Sequence, residues 1–340
     1  MYEAAKKSWI VFSLVAGCLF VGGADAPRAE ADEKTVIRFA TIAPGGSTFG
    51  KILRAWGRSL SKETEGRVEL RYYSGGSQGD ERDFIRKMRA GQMDAAGVTT
   101  IGLGIVVRPV LVLSAPGVIE TYEELGRVRA KMNARFEQMF EDAGFVLLNW
   151  SDAGKGRIMS TIPIAKPADL KAARPWAWKD DPLFSEFLKV VGANPVRLGV
   201  TEVYAGLQTK MVDVVPASPI AALALQWFTK LKYMSDESFG IILGASLIKK
   251  DKFDRLSPDD QKVLKETARR AAAALDKVVR RDDAKAYDIL LERGIQLVDT
   301  SPYRAQWNRA SDETIDRLTG RIFSKSLLAE VRAAAEGTDL

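Results

Sequence analysis

The sequence predicts an α/β protein of two lobes, with a long helix reaching from one to the other. Three observations predict it. The chain has 340 residues, more than the ~250–300 at which a single hydrophobic core stops growing. A β-α-β-α-β order opens it and recurs further on. A run from Ser257-Pro258 to Arg293 carries helix signals throughout.

Val36-Ile37-Arg38-Phe39-Ala40 reads as a strand ending in the turn Ala43-Pro44-Gly45-Gly46. Ser47 or Thr48 then caps a helix in which Phe49, Ile52, Leu53, Trp56 and Leu60 recur at three- and four-residue spacing. Glu65-Gly66 ends it, and Val68 to Tyr72 alternates as a strand. A second cap between Ser77 and Asp80 starts a helix through Phe84, Ile85 and Met88, closed by Gly91 before the strand Met93 to Val98. This order calls for a mostly parallel sheet with helices on both faces.

The second half repeats the plan: strand Phe145 to Trp150, helix Leu183 to Val191, helix Val203 to Lys210, strand Val212 to Val215. Met88-Arg-Ala-Gly-Gln-Met93-Asp94 is echoed by Leu207-Gln-Thr-Lys-Met-Val212-Asp213, a helix end, a tight turn, an apolar residue and an aspartate before a strand. The long helix starts at the cap Ser257 with Pro258 in its first position and stops at Gly294. Leu264, Ala268, Ala272, Leu275, Val278, Ala286 and Leu290 line one stripe, and at ~1.5 Å per residue it spans about 50 Å, enough to lie across two lobes.

Composition narrows the function. Hydrophobic residues at 46% and charged residues at 28% describe a soluble globular chain. Lys6-Lys7, an apolar run from Trp9 to Val21 and the small residues around Ala24-Asp25-Ala26 have the layout of a secretory signal peptide, assigned to residues 1–26. An uncleaved anchor is the alternative. Val15-Ala16-Gly17-Cys18 also fits the motif before a lipidated cysteine, so a lipoprotein anchored at Cys18 stays open, although the apolar stretch runs on through Val21. Cys18 is the single cysteine, so the exported chain carries no disulfide. There is no histidine, which excludes a Ser-His-Asp triad and histidine-ligated metals and removes the commonest acid–base side chain. No catalytic residue, metal site or cofactor is expected. The net charge of +6 is spread among interleaved acids and bases, a solvated surface rather than a nucleic-acid stripe.

Several landmarks in a fixed order resemble one family. They are Ala43-Pro44-Gly45-Gly46-Ser47, Glu63-Thr64-Glu65-Gly66-Arg67-Val68, Gly75-Gly76-Ser77-Gln78-Gly79-Asp80-Glu81, Lys166-Pro167-Ala168-Asp169-Leu170-Lys171, and Glu202-Val203-Tyr204-Ala205-Gly206-Leu207-Gln208 with Val212-Asp213. The chain resembles, from about Thr35 to Arg321, the substrate-binding proteins of TRAP (tripartite ATP-independent periplasmic) transporters, the DctP family. The resemblance implies a periplasmic binding protein fold that captures a small-molecule ligand in an inter-lobe cleft by hinge closure. It implies delivery to the small and large TRAP membrane subunits, and no enzymatic chemistry. The chain would be periplasmic, touching the membrane only through the permease or a lipid anchor. The lobes it implies are 35–154 with about 243–285, and 155–242 with about 286–340. A periplasmic sensor or lipid-carrying module is the alternative, and a secreted enzyme on the same scaffold a weaker one.

The departures from that family concern the ligand. Members that bind organic anions have one arginine in a Gly-x-Arg segment and a second ending a Leu-Lys-Gly-x-Lys-x-Arg segment, which clamps the carboxylate. Arg157 matches the first, one residue further from Gly154, but the second reads Leu170-Lys171-Ala172-Ala173-Arg174-Pro175-Trp176, so Trp176 stands in the clamp position. Arg174 is two residues early, a shift of roughly 6–7 Å along a strand. Ser218 stands where many relatives have a ligand-binding asparagine. An indole offers apolar area and one N–H where a guanidinium offers a charged fork, so the site is expected to suit apolar, aromatic or cationic solutes, or a monocarboxylate. Its expected lining is Pro44, Ser47, Gln78, Thr99, Thr100, Trp150, Arg157, Trp176, Trp178, Tyr204 and Ser218. Core packing is the competing explanation for each aromatic.

Overall fold

The computed structural model describes residues 34–338; the leader assigned to 1–26, and Cys18 with it, lies outside the described residues. In chain order the elements are β1 (Thr35–Thr41), α1 (Thr48–Glu63), β2 (Val68–Tyr73), α2 (Glu81–Arg89), β3 (Ala95–Thr99), α3 (Thr100–Val106), α4 (Tyr122–Asp142), β4 (Phe145–Ser160), β5 (Trp176–Trp178), α5 (Pro182–Val190), β6 (Val196–Leu198) and α6 (Val203–Gln208). They continue with β7 (Val214–Ala217), α7 (Pro219–Ala224), β8 (Tyr233–Ser235), β9 (Gly240–Lys249), α8 (Lys250–Asp254), α9 (Pro258–Glu292), β10 (Gln296–Val298), α10 (Arg304–Leu318) and α11 (Lys325–Glu336).

The sheet runs β10-β8-β4-β9-β3-β1-β2, with β7 also paired to β4 and a separate parallel pair β5-β6. β1 is parallel to β2 and β3, whereas β9 is antiparallel between β3 and β4. β4 pairs with β9 from Phe145 to Gly156 and with β7 and β8 from Arg157 to Ser160. One strand of 16 residues therefore belongs to both lobes. The sequence marks this strand only to Trp150; in its continuation to Ser160 a register shift between Asp152 and Lys155 breaks the strand pattern.

Apolar residues cover both faces of each lobe's sheet. In the first lobe Phe39, Trp56, Leu60, Leu264 and Ala268 fill one side, and Phe84, Leu111, Phe136 and Phe140 the other. In the second lobe one core gathers Trp176, Val203, Val215, Trp227 and Leu290, and another Leu170, Phe187 and Leu188. The helix α9 thus supplies Leu264 and Ala268 to one lobe and Leu290 to the other. Its inner stripe matches the expectation except that Val279, not Val278, is the buried valine. Helix α11, expected with the second lobe as part of 286–340, packs instead on α4: Leu327, Leu328 and Val331 join the core of Leu125, Val128 and Met132, and Arg127 Nε donates to Ala335 O at 2.7 Å.

The sequence echo has a structural counterpart. Asp94 accepts the backbone N–H and the Nε of Arg38, each at 2.8 Å, and its own N–H donates to Arg38 O at 3.1 Å. Asp213 accepts the backbone N–H of Arg174 at 2.6 Å and its Nε at 2.9 Å, and donates to Arg174 O at 3.1 Å. Gly91 and Lys210 take the same left-handed backbone, at φ 69° and 59°. Each lobe ties its helix-to-strand turn to a neighbouring segment through one Arg–Asp pair.

Candidate functional site

A cavity of about 1060 Å³ lies between the lobes at the point where β4, β9 and α9 pass from one to the other. The loop after β1, the β3–α3 junction and β9 supply one wall; the second half of β4, β5, the segment Pro216–Ser218 and helices α5 and α10 supply the other. Ligands of open α/β sheets bind at such strand ends.

Crossing from lobe to lobe requires a special backbone. Between Asp152 and Lys155 the β4–β9 register shifts, and Gly154 takes φ +97°. A Cβ there would lie 2.6 Å from Asp283 Oδ1 and 2.7 Å from Ser218 Cβ, so glycine is required twice over. Helix α9 holds this segment from above. Asp276 accepts the Asp152 N–H at 2.7 Å, and Asp283 accepts the N–H groups of Lys155 at 2.9 Å and Ile220 at 3.0 Å. The fully buried Asp152 carboxylate in turn faces Arg280 Nε at 2.7 Å and Arg129 Nη2 at 2.9 Å.

The lobes meet along a seam made by Asp80. One carboxylate oxygen caps α2 through the Glu81 N–H at 2.8 Å; the other, across the cleft, accepts Trp178 Nε1 at 2.7 Å and the Val200 N–H at 2.9 Å. Glycines on both sides allow that approach: a Cβ on Gly199 would come within 2.7 Å of Asp80 Oδ2, and one on Gly76 within 2.5 Å of Thr201 Cγ2.

The next residue, Glu81, is buried and accepts Thr99 N–H at 2.7 Å, Thr99 Oγ1 at 2.9 Å and Gly102 N–H at 2.8 Å. Burial pushes its carboxyl up to about 8 against those hydrogen bonds. Between its ordinary 4.5 and about 8 the folded chain therefore holds a proton that the unfolded chain has lost, and stability falls as pH rises through that window. Asp80 and Asp181 are also raised by burial and add to the same slope. The urea midpoint is expected to be higher at pH 5 than at pH 8.5, with a visibly flatter profile in Glu81→Gln; an identical profile in the variant removes Glu81 as the cause.

Seven of the expected residues come together on the cavity wall: Pro44, Thr99, Thr100, Arg157, Trp176, Trp178 and Ser218. Four stand off it. Ser47 caps α1, accepting Gly50 N–H at 3.2 Å and donating to Pro44 O at 2.6 Å. The Gln78 side chain receives Lys87 Nζ at 3.0 Å. Trp150 donates to Asn133 Oδ1 at 2.8 Å and meets Phe136 edge to face. Tyr204 packs on the second-lobe core under Lys230. In Ser47, Gln78 and Trp150 a partner within the same lobe takes up the polar group.

The wall residues are themselves largely engaged. Trp176 is 4% exposed and donates to Leu198 O at 3.0 Å; its indole forms floor, not a free donor. Arg174 is held by Asp213 and is not a displaced clamp. Ser218 donates to Ala153 O at 2.6 Å. Arg157 donates through Nη1 to the carbonyls of Ser235, at 2.9 Å, and Asp236, and stacks on Tyr287 at 4.6 Å. Among the described residues no acceptor meets its Nε or Nη2. The wall carries four carboxylates besides the protonated Glu81 (Glu120, Asp181, Glu237, Asp312) against three cations (Lys155, Arg157, Arg304), so it does not share the chain's net positive charge of +6. Sequence reasoning missed the contribution of Phe184, Phe187, Phe239 and Trp307; each lies in a segment without a motif, and only packing brings them together.

Residues 39–321 match the family model of the bacterial extracellular solute-binding proteins, family 7. The 2,3-diketo-L-gulonate-binding periplasmic protein YiaO of Escherichia coli is 26% identical over 70% of this chain and 73% of its own length. The C4-dicarboxylate-binding periplasmic protein DctP of Rhodobacter capsulatus is 22% identical over 89% of this chain and 92% of its own. A TRAP periplasmic solute-binding protein from Ralstonia eutropha, crystallised with (S)-2-acetolactate, superposes with a TM-score of 0.84 at 21% identity, over 89% of this chain and 99% of that one. Among the described residues no helix is long and apolar enough to cross a membrane. The two lobes, the cleft between them and a family match running through both lead to one conclusion: the chain belongs to family 7 of the bacterial extracellular solute-binding proteins, a family of binding proteins and not of enzymes.

Proposed function

We propose that the protein captures a small solute in the cleft by hinge closure in the periplasm and passes it to the small and large membrane subunits of a TRAP-type importer. One lobe would comprise 35–154 with about 243–285 and α11, the other 155–242 with the rest of the C-terminal part; β4, β9 and α9 would form the hinge. Export by the leader, with either cleavage or lipidation at Cys18, belongs to the same proposal.

The observation that carries the ligand reading is the state of the second-lobe guanidinium groups. Arg174 is paired with Asp213, the clamp position is a tryptophan whose N–H is taken, and on β4 Arg157 keeps its Nε and Nη2 without an acceptor among the described residues, on the cavity wall. One guanidinium edge suits one carboxylate. The solute is therefore a monocarboxylate or a neutral molecule with an apolar body, gripped by Arg157 and packed against the apolar wall of the cavity.

Thermal shift of natively purified protein tests this. Ligand at about 100 times its Kd stabilises by ~2.7 kcal/mol, so apolar monocarboxylates are expected to raise the midpoint and Arg157→Ala to cancel that rise. Stabilisation by dicarboxylates alone, retained in Arg157→Ala, would falsify the reading. Native mass spectrometry of the same preparation identifies whatever solute stays bound.

A further inference from the structure

The end of the cavity away from β1 is walled by aromatic rings. Phe184 and Phe187 of α5 lie parallel, 6.0 Å between centroids and 8° between planes; Phe187 and Trp307 of α10 continue the array at 6.0 Å and 2°. Trp307 Nε1 donates to Ala165 O at 2.9 Å, which fixes the last ring. Phe239 lines the same space and is 45% exposed, one of few large apolar side chains so open to water. Its ring lies across β4 at Gly156, where a Cβ would come within 2.4 Å of it. That places Phe239 beside the residue preceding Arg157.

The charges around this compartment differ from those near Arg157. Arg304 is neutralised by Glu237, while Glu120 and Asp312 also line the cavity and, among the described residues, neither carboxylate meets a cation within ion-pair distance. A negatively charged substituent brought here would be repelled. The cavity volume also lies just above the ~300–1,000 Å³ usual for small-molecule sites, more than a short hydroxy or keto acid needs. Planar apolar groups prefer to meet rings edge-on or offset.

We infer that this compartment is a ring-binding subsite: the solute carries an aromatic ring without negative charge, seated between the Phe184–Phe187–Trp307 array and Phe239. The inference rests on the capture reading above and names its ligand class. A carboxylate on Arg157 and a ring beside Phe239 would be joined by a short spacer.

Titration of the full-length mature protein with 3-phenylpropionate, followed by calorimetry, tests it against propionate and against the analogue carrying a second carboxylate on the ring. Burying one ring favours phenylpropionate over propionate by at least about tenfold, and the ring carboxylate removes that advantage. Phe239→Ala, at an exposed position that leaves the core intact, and Phe184→Ala should each reduce the advantage several-fold with propionate unchanged. Equal affinity for the two acids, an advantage that survives both variants, or no binding of phenylpropionate at millimolar concentration overturns the subsite. Stabilisation by ringless monocarboxylates in the same preparation would leave solute capture standing while the ring subsite fell.

Discussion

Asp152→Ala is expected to cost the protein about 3–5 kcal/mol, the loss seen when one partner of a buried ion pair is removed. Asp152 has no solvent exposure. Its two oxygens face Arg280 at 2.7 Å and Arg129 at 2.9 Å, while Asp276 bridges Arg129 at 3.0 Å and the Asp152 backbone at 2.7 Å. Removing the carboxylate leaves two guanidinium groups sharing Asp276 in a region that also holds the buried hydroxyl of Tyr122, which has no hydrogen-bond partner among the described residues. The cluster joins α4, β4 and α9 where the chain crosses between lobes, so its loss loosens the crossing as well as the fold. Urea denaturation reads the loss as a lower midpoint, and melting drops by roughly 5–15 °C on the scale for chains of this size. Asp152→Asn keeps the shape and loses only the charge, and should fall between the two. A variant within 1 kcal/mol of the parent sinks the account, because it would show the arginines already neutralised by water.

Trp176→Ala is expected to destabilise the ligand-free protein by about 3–5 kcal/mol, the range for truncating a buried aromatic to alanine. The side chain is 4% exposed, meets Trp227 edge to face at 5.3 Å and Trp178 at 5.9 Å, and ties β5 to Leu198 O through its N–H. Trp176→Phe keeps most of the ring packing but leaves the Leu198 carbonyl without its donor, a smaller loss of about 1–3 kcal/mol. The decisive comparison is made without ligand. A variant with parental stability but lost affinity would restore Trp176 to the role of a direct ligand contact. Loss of stability first, with affinity following, marks it as the floor on which the cleft stands.

The two predictions separate what was legible from what was not. The leading motifs were readable because local rules decide them: Ser47 caps α1, Pro258 opens α9, and the Asp94 and Asp213 turns repeat at matching positions. The identities of Arg174 and Trp176 were also readable, since they stand where they stand whatever the fold does. Their occupations were not. That Arg174 belongs to Asp213, in the way Arg38 belongs to Asp94, depends on a pairing between segments 39 residues apart. Trp150 and Tyr204 were plausible cleft aromatics by position, but Trp150 turns toward Asn133 and Tyr204 toward the core under Lys230.

The sequence by itself determined the class of fold, the bridging helix and the absence of histidine chemistry. These follow from periodicity, capping and residue identity, which act within a turn or two of chain. Only the tertiary structure decided which side chains are free to meet a solute. Asp80 reaching Trp178 and Val200, Gly154 yielding space to Asp283, and Phe184, Phe187 and Trp307 stacking from two helices are contacts between distant segments. Whether a polar group is spent or available is a property of its neighbours in space, and burial makes that neighbour, not the residue type, set the chemistry.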